Sequence, residues 1–218
     1  TTTANVAIPA FIGLISLIEL PEMEEKELAE AIQFEAHKYI PSPLEEVALS
    51  WEVVGIRTDE SGKKKMEILL VAALNKEVHR YEKYISSAKL KMNLLELETF
   101  SLVRSMIKGA PGLSLLIDIG SRATNLILAE DGLVRMSRNL DTGGKDITRT
   151  LTEGLSITQE RAEALKKGEK DFLNQAESSL VFPSLQLIAS EAERMLDSYR
   201  VKYPEKSCSG IVLSGGTA

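Results

Sequence analysis

The chain has 218 residues, of which 44% are hydrophobic, and a formal net charge of −6 at pH 7. This length and hydrophobic content allow one large or two small globular domains with a substantial core. The acidic balance, without a basic stripe that carries aromatic residues, excludes a general nucleic-acid binder. No run approaches the roughly 20 apolar residues of a membrane span, no signal-peptide pattern is present, and a single cysteine, Cys208, fits a reducing compartment. The composition therefore predicts a soluble cytoplasmic protein.

The first hundred residues mix strand-like and helix-like patterns. An apolar run over residues 6–20 is broken by a proline and a glycine, which predicts two short strands. Apolar residues at spacings of three and four then predict a helix over residues 23–39, which two following prolines end. Two strand-like segments, 47–56 and 66–74, flank a polar turn and predict a β-hairpin. Asn75 is then placed to cap a further helix.

A loop signature, Gly109-Ala-Pro111-Gly112, separates this part from the second half of the chain. The turn dipeptide Asp131-Gly132 joins two strand-like segments, which together with the strand before them predict three strands in one sheet. A double glycine opens a helix with apolar residues at every fourth position, a second helix starts near Thr158, and a third has an apolar stripe after Pro183. The apolar segment 211–213 predicts a final buried strand.

These patterns predict a mixed α/β chain, arranged as α+β, with four regions. The regions are residues 1–21 as part of the core of a first lobe, 22–97 as an inserted small α+β subdomain, 98–111 as a connecting helix and linker, and 112–218 as a second lobe in which about 145–185 form a smaller subdomain. The loop signature at 109–112 marks the boundary before the second lobe.

Three glycine-bearing turns in the second half contain the residues best suited to chemistry. They are Asp118-Ile-Gly120-Ser121, Thr142-Gly143-Gly144 and Ser214-Gly215-Gly216-Thr217. Each follows or flanks a hydrophobic strand, and their order along the chain is more informative than any one of them. Together they are typical of half of a nucleotide clamp.

The first turn has Asp118 at the end of an otherwise apolar strand, where a buried carboxylate without a partner would be costly. One partner would be a hydrated divalent cation, or an attacking water beside a terminal phosphate. Gly120 and Ser121 would then let backbone amides approach the phosphate oxygens. The alternative is an Asx-turn in which the carboxylate caps its own hairpin. The pattern Asp-x-Gly is common and leaves both interpretations open.

The other two turns also have a ligand-binding and a purely structural interpretation. Gly143 and Gly144 would bring the backbone close to a ligand and present free amides at the positive end of a helix, or they would form a plain helix start. Gly215, Gly216 and Thr217 would suit a flat base or a ribose, or they would form an ordinary strand-to-helix turn.

Other charged residues give weaker signals. Glu163 and Lys166 share one helical face and could reach a base or a ribose, although their spacing alone favours an exposed ion pair. His37 and His79 have no partners at metal-ligand spacing. The lysine run at residues 63–65 is most simply a solvated turn, with contact to anionic membrane lipid as the minor alternative.

In chain order, these residues resemble the motifs of the actin-like ATPase superfamily. The matching segments are Asp118-Ile-Gly-Ser121 for the second phosphate motif, Gly143-Gly-x-x-Ile-Thr148, Ala162-Glu163-x-x-Lys166, and Ser214-Gly-Gly-Thr217 for the adenosine motif. The front half resembles the PilM family of type IV pilus assembly proteins. The segments with this resemblance are Ala7-Ile-Pro9, Leu17-Ile-Glu-Leu-Pro21-Glu-Met-Glu-Glu-Lys-Glu-Leu28 and Ala31-Ile-Gln-Phe-Glu-Ala-His-Lys-Tyr39-Ile-Pro41. The similarity covers essentially the whole chain.

The resemblance implies an actin-like fold of the FtsA and PilM type, with two lobes around a cleft for ATP and magnesium, and with residues 22–97 as the extra SHS2-type subdomain. The residues it implies for nucleotide contact are Asp118, Gly120, Ser121, Thr124, Gly143, Gly144, Glu163, Lys166, Gly215, Gly216 and Thr217. Asp118 would also position water and hold magnesium through water. ATP is expected to act as a conformational ligand, with at most weak hydrolysis.

The resemblance further implies a cytoplasmic scaffold, peripheral at the inner membrane, that binds the short N-terminal tail of a PilN-like membrane protein in a groove beside the extra subdomain. Pilus assembly ATPases and a second copy of the chain are further candidate partners. The alternatives are an FtsA-like membrane-tethered filament protein and a kinase or ATPase of the same fold. The first phosphate loop of the superfamily would precede Thr1 and the helix after the adenosine motif would follow Ala218, so we expect a partial chain that holds nucleotide weakly by itself.

Overall fold

The computed structural model describes residues 2–58, 62–107, 109–168, 172 and 180–217. By their internal contacts these residues form two compact units. The first unit is Thr1–Lys108 with Gly132–Ser137, and the second is Gly109–Asp131 with Arg138–Ala218. The division at residue 108 therefore falls at the start of the loop signature.

Up to residue 108, the first unit contains five strands and three α-helices among its described residues. In chain order they are β1 (Thr3–Ile8), β2 (Gly13–Pro21), α1 (Glu25–Ala36), β3 (Val47–Thr58), β4 (Lys64–Leu74), α2 (Asn75–Ser87), β5 (Lys91–Leu97) and α3 (Glu98–Met106). Strands β2, β4 and β3 form an antiparallel sheet in that order, and β1 pairs in parallel with β5.

Helix α1 covers the three-stranded sheet because its apolar residues recur along one face. Leu28, Ile32 and Ala36 are buried at successive intervals of four residues. They form one hydrophobic cluster with sheet residues such as Ile18 and Ile68. The predicted helix and hairpin are therefore present, and they form the core of this unit.

Three features of the first unit differ from what the sequence predicts. Asn75 is the first residue of α2 and not its cap, and its side-chain amide donates to the carbonyl oxygen of Glu45 at 3.0 Å. The segment 93–97, to which the sequence patterns assign no strand, is part of β5, because β1 supplies a pairing partner from far away in the chain. Strand β2 lies in the same sheet as the hairpin, so the sheet of the α+β unit begins at Gly13.

The second unit is built around a mixed sheet. Its elements are β6 (Leu113–Ile119), β7 (Thr124–Glu130), β8 (Leu133–Leu140, shared with the first unit), α4 (Gly144–Leu155), α5 (Gln159–Lys166), α6 (Pro183–Lys202) and β9 (Cys208–Ser214). The strand order is β8-β7-β6-β9, in which β6 is antiparallel to β7 and parallel to β9. The prediction that the strands around Asp131-Gly132 share one sheet is confirmed.

The last strand is not buried as predicted. Ile211 and Leu213 are 61% and 58% exposed. The reason is topological, since β9 is an edge strand of the described sheet and has one neighbour, β6. The apolar stripe of α6 is buried as its periodicity indicates, at Ile188, Ala192, Met195 and Tyr199. No helix in the described parts of the chain combines the length and the apolar composition that a membrane crossing requires.

Candidate nucleotide-binding site

The parallel pairing of β6 and β9 brings together the first turn (residues 118–121) and the third turn (residues 214–217). Asp118 is in register with Ser214, so the two strands end at the same edge of the sheet. Gly215 follows with a φ of +102°, and a Cβ at this position would be 2.3 Å from the carbonyl oxygen of Ile119. Because a side chain would be both strained and obstructed there, glycine is required for the close approach of the two turns.

The second turn (residues 142–144) packs directly on the first. A Cβ on Gly143 would be 2.6 Å from the carbonyl oxygen of Gly120. The amide of Gly144 donates to the same carbonyl at 2.8 Å, and the amide of Lys145 donates to the carbonyl of Ser121 at 2.9 Å. The start of α4 is therefore held against the first turn by two backbone hydrogen bonds.

These bonds contradict the prediction of free amides at this helix start. The amides of Gly144 and Lys145 are used by the first turn, and the amide of Gly143 donates to Asp146 Oδ2 at 2.9 Å. The hydroxyl of Thr142 donates to the same carboxylate oxygen at 3.1 Å. The amide of Gly143 is the main reason that the pKa of Asp146 is lowered from its ordinary value.

Thr124, the first residue of β7, also joins the first two turns. Its side chain is fully buried, and its hydroxyl donates to the carbonyl oxygen of Thr142 at 2.8 Å. Thr124, which the resemblance implies as a nucleotide contact, therefore uses its hydroxyl for a hydrogen bond within the protein. Thr124 contributes to the site by holding the second turn in place.

Helices α4 and α5 form a hydrogen-bonded cluster beside the second turn. Lys166 donates to the carbonyl of Gly144 at 3.2 Å, to the hydroxyl of Thr148 at 3.0 Å and to Glu163 Oε1 at 2.9 Å. The three donors of the ammonium group are thus all used. The pKa of Glu163 is lowered, first because Thr148 donates to its carboxylate and then because Lys166 does.

The cluster shows that Glu163 and Lys166 are more than the exposed ion pair that their spacing favours. The side chain of Lys166 is only 12% exposed, while that of Glu163 is 35% exposed. Since its donors are satisfied, Lys166 acts here by fixing Gly144 and Glu163. Glu163 keeps one side open to solvent and can accept a hydrogen bond from a ligand hydroxyl.

The third turn meets the same cluster. A Cβ on Gly144 would be 2.3 Å from Thr217 Oγ1 and 3.3 Å from Lys166 Nζ. Gly144, Thr217 and Lys166 are therefore neighbours, although the chain separates them by many residues. All three glycine turns therefore lie together with Glu163 and Lys166 of α5 within the second unit.

Three groups at this place remain open to a ligand. Gly216 has no atom within 4 Å of where a Cβ would be, and Ser121 is exposed at the tip of the first turn. Asp118 is half-buried, and among the described residues its carboxylate forms no hydrogen bond or ion pair. The Asx-turn interpretation of Asp118 therefore has no supporting bond.

These residues fit a hydrated magnesium ion better than a directly chelated metal. In the described residues, no group of three or more His, Cys, Asp and Glu side chains could hold a metal ion. Magnesium, however, commonly keeps several waters and takes only one or two carboxylates beside phosphate oxygens. A single open carboxylate at Asp118 meets that requirement.

Three residues that shape the site without touching its open part have no assigned role in the sequence-based prediction, although two of them, Thr142 and Thr148, stand in the quoted motifs. Thr142 and Asp146 are hydrogen-bonded to each other at the start of α4, where Asp146 also accepts from the Gly143 amide. Thr148 lies at the centre of the hydrogen-bonded cluster between α4 and α5. Asp146 could have been found as an acidic residue in the first turn of a predicted helix. Thr148 lies four residues after Gly144, and its single hydroxyl hydrogen is shared between Glu163 Oε1 and the Gly144 carbonyl oxygen, which is 2.9 Å away.

Comparison with known proteins gives the fold and the family. The family model of the Type IV pilus assembly protein PilM matches residues 1–218. A solved PilM-PilN type IV pilus biogenesis complex is similar with a TM-score of 0.74 and 24% identity, over 97% of this chain and 61% of that chain. MreB5 of Spiroplasma citri bound to ADP has a TM-score of 0.42 and 17% identity, over 66% of this chain and 54% of that chain.

The cytoplasmic domain of EpsL, from the type II secretion system of Vibrio cholerae, has a TM-score of 0.44 and 11% identity, over 86% of this chain and 73% of that chain. The chain spans 61% of the length of the PilM chain that it matches. The fold is that of the matched PilM structure, a mixed α/β fold as the sequence predicts. The chain belongs to the family of the type IV pilus assembly protein PilM.

Proposed function

We propose that the full protein is an ATP-binding scaffold of the type IV pilus inner-membrane complex that holds the cytoplasmic N-terminal tail of a PilN-like protein. Membership of the PilM family over residues 1–218 supports this proposal. The observation that carries its nucleotide part is the convergence of the three glycine turns around open groups at Asp118, Ser121 and Gly216. The protein would be cytoplasmic and peripheral at the inner membrane.

Each part of the site has a distinct task in nucleotide binding. Ser121 and the exposed part of the first turn would contact phosphate oxygens, and Asp118 would hold the water shell of magnesium. When bound, magnesium would neutralise phosphate charge. Gly216 and Thr217 would lie against the base or ribose, and the open side of Glu163 would accept a hydrogen bond from a ribose hydroxyl. ATP would act mainly by shifting the conformation of the scaffold.

Nucleotide binding is tested by titrating the full-length protein with ATP in the presence of magnesium. We expect Asp118→Asn to weaken binding by about tenfold, because a neutral amide cannot hold a hydrated cation as well. Without magnesium, the two proteins should bind ATP about equally. Asp197→Asn, which removes an exposed carboxylate on α6, is the matched control. Equal affinity of the wild type and Asp118→Asn with magnesium would refute the assigned role.

We assign the partner tail to a groove in the first unit. It has a volume of about 240 Å³ and is lined by residues of β1, β3, β4, α2 and β5. Apart from Ser50 and Glu96 its lining is apolar, and Glu96 is neutralised by Arg104 at 2.7 Å. Strand β3 is at the edge of its sheet, so an extended peptide can add to it as a further strand. The groove thus suits a short apolar tail.

Tail binding is tested with a synthetic peptide of the partner N-terminus and the full-length protein. We expect Ala48→Asp and Val78→Asp each to weaken peptide binding by about tenfold or more, because each adds a charge to the apolar groove. Ala48 is exposed and Val78 half-buried, so the fold should tolerate these changes. Leu14→Asp, at a second apolar depression of about 180 Å³ that shares only Ala73 with the groove, is the matched control. Undiminished binding by both groove variants would exclude the groove.

The same preparations separate the other functions of this fold. Sustained phosphorylation of a small alcohol would assign the protein to the kinases, and nucleotide-dependent polymers that sediment would assign it to the filament formers. Failure to bind both ATP and the tail peptide would remove the scaffold proposal altogether.

A further inference from the structure

Helix α2 presents an unusually basic face to solvent. No residue of this helix is fully buried, and its packing face consists of half-buried side chains such as Val78, Tyr81 and Ile85. On the opposite face, Lys76, Arg80 and Lys83 follow each other at spacings of four and three.

The charge of this region contrasts with the rest of the chain. Residues 75–91 contain five lysines and arginines against two glutamates, in a protein whose net charge is −6. Glu77 pairs with Arg80 at 2.5 Å, and Glu82 lies on the flank of the helix. Lys76 and Lys83 keep their charges exposed, which leaves the surface positive.

Two tyrosines accompany the basic face, so the expectation from the sequence that no basic stripe carries aromatic residues is wrong for this helix. Tyr84 is 60% exposed, and its ring meets that of Tyr81 edge to face at 5.8 Å between centroids. The guanidinium of Arg80 lies 5.6 Å from the centre of the Tyr81 ring. Tyrosine favours a membrane interface because its ring is apolar while its hydroxyl is polar, and lysine and arginine attract anionic headgroups.

Binding of a membrane-anchored tail in the groove would bring α2 towards the bilayer. Val78 lines the groove that we assign to the partner tail, so the basic face lies on the same short helix as the groove wall. A tail that leads into a membrane span would hold this helix near the membrane surface. This step rests on the proposed function.

We propose that the basic face of α2, formed by Lys76, Arg80, Lys83 and Tyr84, contacts the anionic lipid headgroups of the inner membrane. The contact adds electrostatic attraction to the tail interaction and orients the scaffold, because two attachments hold it where one would leave it free to rotate. Acidic protein surfaces are the competing occupant, and an absence of binding to anionic vesicles would favour them.

The lysine run at residues 63–65 is the rival lipid contact. It lies at the opposite end of β4 from α2, because β4 runs from Lys64 to Leu74 and α2 begins at Asn75. Lys64 and Lys65 are near Glu22 and Glu19, at 3.6 Å and 3.9 Å, which reduces their net attraction for anionic lipid. The α2 face therefore fits the lipid role better.

The test is co-sedimentation of the full-length protein with vesicles of phosphatidylethanolamine and phosphatidylglycerol, compared with vesicles of phosphatidylcholine. We expect binding to the anionic vesicles only, with a loss as salt is raised. The combined variant Lys76→Gln, Arg80→Gln and Lys83→Gln should bind at least about tenfold more weakly, since each basic residue near the surface contributes about a fivefold factor. Tyr84→Ala should give a smaller loss.

Two combined variants with the same change of charge serve as controls. Arg194→Gln, Arg200→Gln and Lys202→Gln on α6 should leave vesicle binding within about twofold of the wild type, because a change of net charge alone is a weak effect at moderate salt. Neutralising Lys63, Lys64 and Lys65 tests the rival site. Titration of the tail peptide on the α2 variant checks the tail part of the proposed function separately, and we expect its affinity to be unchanged.

Three results of the vesicle experiment would contradict the proposed lipid contact of α2. Absence of wild-type binding to the anionic vesicles, unchanged binding by the α2 variant, or a loss confined to the lysine-run variant would each overturn the α2 proposal. Unchanged tail binding in the same experiment would leave the scaffold function intact. If the wild-type protein does not bind the tail peptide, this result counts against the scaffold function, whatever the result with the vesicles.

Discussion

Gly215 and Gly216 are adjacent in the third turn but differ in what they contribute. Gly215 has a φ of +102° and lies against Ile119, whereas Gly216 faces open space. We expect Gly215→Ala to lower the free energy of unfolding by about 1–3 kcal/mol, because the side chain is strained and meets the backbone. Urea unfolding of the two variants measures the difference.

Gly216→Ala is the matched control for this prediction. Its stability should stay close to that of the wild type, while its affinity for ATP should fall, because the added methyl group occupies space assigned to the ligand. Equal loss of stability in the two variants would show that the glycines share one structural role.

The stability that Asp146 gives to the start of α4 depends on pH. Its carboxylate accepts from the Gly143 amide and the Thr142 hydroxyl, which lowers its pKa below the ordinary value of 3.8. We expect Asp146→Ala to destabilise the protein by about 1 kcal/mol at neutral pH. A lowered folded-state pKa gives stability that is fully present above pH 3.8 and is lost as the pH falls through the folded-state pKa.

The difference in stability between the wild type and Asp146→Ala should therefore shrink in acid. Unfolding midpoints measured from neutral pH to below pH 3.8 follow this change. Asp197→Ala, at an exposed position on α6, should show little difference at any pH. A difference that grows in acid would contradict the assigned sign.

At the scale of elements, Thr124 fastens β7 to the turn that precedes α4. Its buried hydroxyl donates to the carbonyl of Thr142. We expect Thr124→Val to lower the free energy of unfolding by about 1–3 kcal/mol, because the carbonyl loses its donor inside the protein. Thr124→Ser, which keeps the hydroxyl, should recover part of this loss. A valine variant as stable as the wild type would show that the bond is dispensable.

The helices were easier to predict than the strand partners. Helix α1 follows from Leu28, Ile32 and Ala36 because helical periodicity is visible within a dozen residues. Strand β5 was missed because its stability depends on β1, whose pairing residues lie almost ninety positions earlier. In the same way, the segment 211–213 has the composition of a buried strand, and its place at the sheet edge leaves it exposed.

At the scale of the whole molecule, the two units have separate hydrophobic clusters. Trp51, the single tryptophan, packs against the cluster of the first unit, and Gly215 lies in the second unit. We expect Gly215→Ala to lower the midpoint of unfolding followed by far-ultraviolet circular dichroism more than the midpoint followed by Trp51 fluorescence. Ile68→Ala, in the first cluster, should shift the fluorescence midpoint strongly. Identical shifts in both signals would mean that the units unfold together.

The sequence by itself determined the family resemblance, the main helices, the hairpins and the glycines of the candidate site. These features are local, because periodicity, turn chemistry and backbone freedom act within a few residues. Only the tertiary structure decided which groups are open to a ligand. It placed the Gly120 and Ser121 carbonyls against the amides of Gly144 and Lys145, and it left the Asp118 carboxylate without a hydrogen-bond partner among the described residues. The physical reason is that hydrogen bonds between distant segments depend on how the chain packs, which local preferences do not encode.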